Sequence, residues 1–423
     1  MDEKFTALEK YNFWDGNIPA LGYLRKHYTD KIADYIGNKL VKVLVGQRRS
    51  GKSYILRQIA HRLIEQGVEP RNILYINKEF TEFDFLGYYK DLEALLQLYR
   101  ERLKPEGKIW LFIDEIQNIA GWEHFVNSRS QDFVDECEVF ISGSNSKMLS
   151  GELATLLSGR YVVFEIFPFS FAEYTGITQA AAVKQSYMDY MATGALPELF
   201  ALPNDETKRN YVSAIKDTVL LRDIIQRHNI KDAKLLEDIF VYLVNNASNL
   251  ISITGIVNYF RSNGRKVSYE TVSGYIGYIE DTFLIHKVER YDIRGKDTIS
   301  GNCKYYINDL SFRNYLYPGF GYGIGYKLEN LVYLELRRMG FTVYVGAIQG
   351  KEVDFVACKG DRVVYLQCAY ILADEATMQR EYSSLERIPD NYEKVVVSLD
   401  DMALPSKGGI RHIQAWKLTE ASL

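Results

Sequence analysis

Cysteine is scarce in this chain, and its four thiols, Cys137, Cys303, Cys358 and Cys368, lie far apart with no C-x-x-C pair. That excludes a sequence-evident zinc ribbon and fits a reducing compartment. No run of 18 uninterrupted apolar residues occurs, and the charged opening MDEKFTALEKYNFWDG has no apolar signal core. No membrane span is expected, and the chain reads as cytoplasmic. Positive charge is not in surplus either: 51 Lys and Arg face 55 Asp and Glu, for a net charge of −4. No general basic field draws in nucleic acid, so a DNA contact would need a local patch. Internal repeats and low-complexity tracts are absent, which excludes a solenoid or a disordered array.

What is present is a folded protein of several domains: 423 residues, 47% hydrophobic and 25% charged. From about residue 39 to 165, short apolar runs alternate with helical stretches: KVLVG, ILYIN, IWLFIDE and CEVFISGS. Continuous apolar runs suit strands covered on both faces, as in a parallel α/β sheet.

The first of these runs leads into GQRRSGKS, Gly46 to Ser53, and then into YILRQIAHRLIEQG, whose Ile55, Ile59 and Leu63 recur at helical spacing. Strand, glycine loop and helix in this order make the phosphate-binding pattern G-x-x-x-x-G-K-[ST]. Gly46 and Gly51 allow successive N–H groups to face phosphates, with the helix N-terminus adding partial positive charge. Lys52 would reach the β- and γ-phosphates and the Ser53 hydroxyl would ligate Mg²⁺. The nucleotide-binding set is Gly46, Arg49, Ser50, Gly51, Lys52, Ser53 and Tyr54. Arg48 and Arg49 suit a phosphate contact and a solvated loop equally well.

IWLFIDEIQNI supplies the complement, with Asp114 and Glu115 at the end of an apolar strand. The strand-end Asp would hold Mg²⁺ through its water shell, and the adjacent Glu would act as general base on water. A dedicated base favours hydrolysis over transfer to a second substrate. No N-K-x-D guanine motif stands out. ATP and Mg²⁺ are the expected ligands.

The G-x-R-R-x-G-K-[ST] loop, the DEIQ-type second motif and the G-S-[NS] stretch after the next strand resemble AAA+-type bacterial and archaeal ATPases. GSNSKMLSGELATLLSGRYVVFEIFPFSFAEY (143–174) looks like that family's continuation. The resemblance implies that Ser144 or Asn145, with Asn145 preferred, is the sensor of the γ-phosphate. It also implies that Arg160 is an arginine finger or second sensor, although an isolated Arg also suits a surface ion pair. Relatives of this type often form rings, so a homo-oligomer belongs to the expectation.

Residues 232–312 read as helix, helix, turn, helix and a β-wing, resembling the family's winged-helix segment. Residues 255–300 hold seven Lys/Arg and six acids, and the helix SYETVSGYIGYIED is acidic and aromatic. That charge favours protein packing over DNA readout. KYYINDLSFRNYL, with Asp309, matches the family without an assigned chemistry. In the last segment, Glu329, Asp354 and Gln367 fall in the order of a restriction-endonuclease-like site. There an acid, an Asp and an E-x-K would hold Mg²⁺ and activate water. Gln367 replaces the acid and Ala369 the lysine, and Lys351 and Lys359 are off the motif, so the expected site is degenerate.

The expected architecture is an AAA+-like P-loop α/β domain with its lead-in (1–165) and a helical lid (166–231). A winged-helix-like domain (232–312) and a restriction-endonuclease-like α/β domain (313–423), inactive as a nuclease, complete it. The expected function is Mg²⁺-dependent ATP hydrolysis coupled to movement of C-terminal modules that grip a DNA or protein partner. The alternatives are a slow-turnover nucleotide-dependent scaffold and an ATP-gated nuclease.

Overall fold

The apolar runs of the first 166 residues are strands, each buried because helices cover both faces of the sheet they share. The computed structural model describes residues 2–149, 152–319, 323–372, 375–421 and 423. These fall into two compact units, 1–166 and 167–423.

The first unit opens with helices α1 (Asp2–Tyr11) and α2 (Lys26–Ala33), followed by β1 (Val41–Val45) and α3 (Lys52–Glu65). Then come β2 (Ile73–Asn77), α4 (Tyr89–Leu103), β3 (Ile109–Asp114), α5 (Trp122–Gln131), β4 (Cys137–Gly143), α6 (Glu152–Leu157) and β5 (Tyr161–Glu165). The sheet order is β2-β3-β4-β1-β5 and every pairing is parallel. This is an α/β P-loop NTPase fold, and the order places β1, β3 and β4 side by side. Ile55 and Ile59 of α3 pack on Leu44, Phe112 and Phe140. Trp122 is buried as packing. One residue of the first run is not apolar: Lys42 is fully buried in β1, where its ammonium lies 2.6 Å from Glu138 of β4. Lys108 reaches the same carboxylate at 2.8 Å.

The second unit begins with α7 (Phe171–Thr178), α8 (Lys184–Thr193) and α9 (Asp205–Asp217), continued by a widened π-helical turn, Thr218–Gln226. Next are α10 (Ala233–Asn245), β6 (Leu250–Ile251), α11 (Ile253–Ser262), α12 (Tyr269–Asp281) and the hairpin β7 (Ile285–Asp292)–β8 (Asp297–Ile307). The chain finishes with α13 (Ile324–Arg338), β9 (Thr342–Ile348), β10 (Lys351–Lys359), β11 (Arg362–Ala369), α14 (Glu375–Glu386), β12 (Glu393–Ser398) and β13 (Ile410–Gln414).

One expectation is corrected here. The strands placed on either side of residue 312 belong to a single eight-stranded sheet, ordered β13-β12-β11-β10-β9-β7-β8-β6. The junction is a short parallel ladder, Arg290–Asp292 of β7 against Val345–Ala347 of β9. It brings Ile293 into the cluster of Val353, Val356 and Tyr365. A Cβ on Gly346 would come within 3.0 Å of Ile293, Val353 and Val356, so the side chains close over a glycine. A second tie sits at Asp309, which is fully buried and accepts the N–H groups of Ala195 and Ser311, both at 2.8 Å.

Candidate functional site

In an open parallel sheet the chemistry collects where the strands' C-terminal ends meet. Here β1 delivers Gly46, β3 delivers Asp114 and β4 delivers Ser142, with Val45 opposite Gly143 and Asn77 opposite Asp114 in the ladders. Gly46 has φ +145, and a Cβ there would fall 2.3 Å from the Ile166 carbonyl oxygen. Close backbone approach therefore fixes glycine at this position. Gly51, at φ +98, caps α3.

Lys52 is buried at the first residue of α3, its ammonium donating to the carbonyls of Gly46 (3.0 Å) and Gln47 (3.1 Å). The same nitrogen lies 3.7 Å from Glu115 Oε1. Ser50 is buried and its hydroxyl has no hydrogen-bond partner among the described residues. Arg49 is exposed with φ +68, while Arg48 pairs with Glu79. The Tyr54 ring lies over Gly22 and under the Arg57 guanidinium.

Asp114 is shut off from solvent and is surrounded by donors. The Tyr75 hydroxyl and the Asn77 amide each donate to Oδ2 at 3.0 Å, and Ser142 and Ser53 also hydrogen-bond to the carboxylate. Burial and the neighbouring Glu115 charge still push its carboxyl up from the usual range. Glu115 follows in a left-handed conformation, φ +54, with its N–H donating to Ser142 Oγ at 3.1 Å. Burial pushes Glu115 up, but Lys52, Gln117, Arg48 and Ser144 together hold it below its ordinary value. Ser144 Oγ donates to Glu115 Oε2 at 3.0 Å, and Gln117 donates to the same oxygen. Burial thus acts on both acids in the same direction, and the cations and donors around Glu115 outweigh it there.

Asn145 is buried next to Ser144, but its side-chain oxygen accepts the Lys147 N–H at 2.8 Å. Ser144, the other sensor candidate, is the residue in contact with Glu115. Arg160 is corrected as a sensor within its own chain. Its carbonyl accepts the Val41 N–H at 2.9 Å, which puts it at the opening end of β1. The phosphate loop leaves the other end, five residues along a strand and about 16 Å away. The Arg160 side chain is exposed and donates to Asn127 at 3.3 Å.

Sequence reasoning missed four residues of this site. Tyr75 lies mid-way along β2 and Asn77 ends it, Ser142 is the last residue but one of β4, and Arg25 precedes α2. Arg25 donates to the Ser50 carbonyl at 2.7 Å and is 1% exposed. Asn77 and Ser142 were legible as strand-end positions; nothing near Tyr75 or Arg25 marks them.

The C-terminal acids also come together. Glu329 of α13 accepts from the Tyr306 hydroxyl (2.6 Å) and the Lys304 ammonium (2.8 Å), and that ammonium lies 2.7 Å from Glu352. Asp354 accepts the Cys368 N–H at 2.8 Å, and Gln367 lies between the Asp354 N–H and Glu381. A lysine therefore does reach these acids, from β8 and not from an E-x-K strand. Lys351 and Lys359 are bonded elsewhere, to Ser383 and to the Met339 carbonyl. Burial raises Glu329, with Lys304 and Tyr306 opposing, and burial with the Glu329 charge raises Asp354 well above its ordinary value. Burial alone would lower Lys304, but Glu329, Asp354 and Glu352 hold it above the ordinary lysine value. Lys304 occupies the position between carboxylates that a cation would take. Among the described residues no group of three or more His, Cys, Asp or Glu could hold a metal ion. Among them, too, no helix is long and apolar enough to cross a membrane.

Comparison with known proteins gives two family matches: an AAA domain over residues 38–175 and a domain of unknown function over 184–323. An uncharacterized protein of Haemophilus influenzae is 36% identical over 379 residues, covering 88% of this chain and 92% of its own length. An uncharacterized protein of Methanocaldococcus jannaschii is 31% identical over 369 residues, with 83% and 79% covered. Among solved structures, Orc1 of Aeropyrum pernix in complex with DNA is similar at 15% identity and a TM-score of 0.34, over 72% of this chain and 94% of that one. At that level nothing about ligand or partner carries over.

Proposed function

Because the chain belongs to the AAA-domain family of its bacterial and archaeal relatives, we propose that it binds ATP with Mg²⁺ and hydrolyses it. The observation that carries this reading is the meeting of Lys52, Ser53, Asp114 and Glu115 at the C-terminal ends of β1 and β3, the two strands that flank β4. Ser53 and Asp114 are hard oxygen donors already in hydrogen-bond contact, which suits Mg²⁺. The unpartnered buried hydroxyl of Ser50 fits a polar ligand in the loop. When bound, Mg²⁺ would supply charge neutralisation at the phosphates.

The residues divide the work. Lys52, released from the loop carbonyls, neutralises phosphate charge. Glu115 is ionised and takes the proton of the attacking water, and Gln117 and Ser144 fix its orientation. Ser144 is the better-placed sensor, since any shift of its hydroxyl is felt at the base. Arg160 serves only a neighbouring copy's site, so a finger role requires an oligomer.

Hydrolysis drives rearrangement of the 167–423 unit, which holds the winged-helix-like arrangement α10–β8 and grips a protein or DNA partner. The lysine-filled cluster at Glu329 and Glu352 favours a structural role there over nuclease chemistry.

The test is steady-state ATP hydrolysis by wild type, Lys52→Ala and Glu115→Gln, with and without double-stranded DNA. Loss of turnover in both variants, with ATP binding kept in Glu115→Gln, is expected. A wild type that binds ATP but turns over no faster than Glu115→Gln would leave only the scaffold reading. Hydrogen exchange over 167–423 that is identical with ATP and ADP would remove the coupling.

A further inference from the structure

Arg25 lies outside both motifs and before the matched AAA segment, yet it is among the largest side chains withdrawn from solvent. Its surroundings tie the lead-in chain to the phosphate loop. Gln58 of α3 donates to the carbonyls of Leu21 (2.7 Å) and Tyr23 (2.8 Å) and accepts the Arg25 N–H (3.1 Å). One amide thus holds three successive points of the lead-in. Beside it, Gly22 has φ +61, and a Cβ there would fall 2.6 Å from the Tyr54 ring. The Arg25 guanidinium then stacks over Tyr28 at 4.6 Å and donates through Nη1 to the Ser50 carbonyl at 2.7 Å.

The Ser50 carbonyl belongs to the peptide that ends in the Gly51 N–H. In a trans peptide these two groups point to opposite sides, so holding the carbonyl also sets the direction of the N–H. Gly51, at φ +98, is a residue for which either orientation of that peptide is cheap. The loop's own sequence therefore does not choose between them. A guanidinium's hydrogen bond to a carbonyl is stronger than a neutral one.

We propose that Arg25 is a positioning residue for the nucleotide's phosphates: it clamps the Ser50–Gly51 peptide so that the Gly51 N–H faces the phosphate side of the loop. The proposal rests on the ATP-site reading above and assigns the lead-in, through Gln58 and Tyr54, the task of holding the clamp. Loosening the lead-in then weakens nucleotide binding without touching any residue of the phosphate motif.

The experiment compares wild type with Arg25→Met, Arg25→Lys and Gln58→Leu, all as full chains. It measures Kd for ATP and ADP, KM and kcat for ATP, and the nucleotide-free thermal midpoint. Arg25→Met should raise Kd and KM about tenfold, the loss expected for a charge-assisted hydrogen bond. Arg25→Lys, which keeps a cationic donor, should recover part of that, and Gln58→Leu should move Kd the same way by less. A folded Arg25→Met with wild-type Kd and KM, only its thermal midpoint lowered, overturns the clamp. If Arg25→Met does not fold, wild-type Kd in both Arg25→Lys and Gln58→Leu overturns it. Tight binding by wild type with no turnover sinks the hydrolysis reading alone, and the Kd series still decides the clamp. No binding by wild type sinks both.

Discussion

Replacing Lys304 by Met removes the cation from a cluster in which Lys304 and Glu329 are 3% and 9% exposed. The Tyr306 hydroxyl keeps its bond to Glu329, but Glu329 and Glu352 lose a counter-charge at 2.8 and 2.7 Å. Removing one partner of a buried pair costs about 3–5 kcal/mol. At about 2–4 °C per kcal/mol for a unit of this size, the thermal midpoint should fall by roughly 10 °C near neutral pH. The sign with pH follows from Glu329 and Asp354, whose folded values lie above their ordinary ones. Such groups stabilise fully below the unfolded value, about 4, and lose that contribution as pH rises through the folded value. Without Lys304 both folded values rise further, so the variant's deficit should be small near pH 5 and grow toward pH 8. Adding Glu329→Gln should recover much of the loss, because the carboxylate bonded directly to the lost cation is then neutral as well. The assay is calorimetry of wild type, both single variants and the double at three pH values. A deficit under 2 °C at pH 8, or one of equal size at every pH, refutes the reasoning.

Other positions make equally specific predictions. At Gly143 an added Cβ would fall 1.8 Å from Met148 Sδ and 2.5 Å from Gln117 Oε1. Gly143→Ala should displace the residue that orients Glu115 and lower kcat more than ATP affinity, read from the same steady-state curves. Asp309→Ala leaves the buried Ala195 and Ser311 N–H groups without their acceptor and should cost about 1–3 kcal/mol in a denaturant titration. Glu280, pushed up to about 7 chiefly by burial, has one carboxyl oxygen without a hydrogen-bond partner among the described residues. Its folded value lies above the unfolded one, so it should destabilise wild type progressively from about pH 5 to pH 8. Glu280→Gln should flatten that slope, and an unchanged slope in a midpoint-versus-pH series refutes the assignment.

The phosphate loop and the Asp114–Glu115 pair were legible because each is a contiguous pattern, and a strand followed by a turn delivers neighbouring residues to one place. The parallel sheet was legible for the same reason, through runs such as Val41–Val45, although Lys42 is hidden within that run and balanced only by Glu138. What stayed out of reach is set by distance along the chain. Lys304 meets Glu329 from a strand that no motif connects to it, and Arg25 meets Ser50 across the whole of α2. Arg160 shows the converse case: a motif-like context could not tell a role in its own chain's site from one in a neighbouring copy, and the start of β5 lies at the end of the sheet away from the phosphate loop. The β7–β9 ladder is only three residue pairs long, too short to leave a periodic signal, so the chain between α10 and β13 looked like two modules.

That short ladder decides where the protein can be cut. Removing residues 313–423 would strip β9 from β7 and leave a bare strand edge, a template for pairing with another chain. A shortened product would meet the cell as an aggregate and not as a lighter machine. Gene fusions and losses should therefore respect 167–423 as one heritable block, and insertions should accumulate in its loops instead of at its middle.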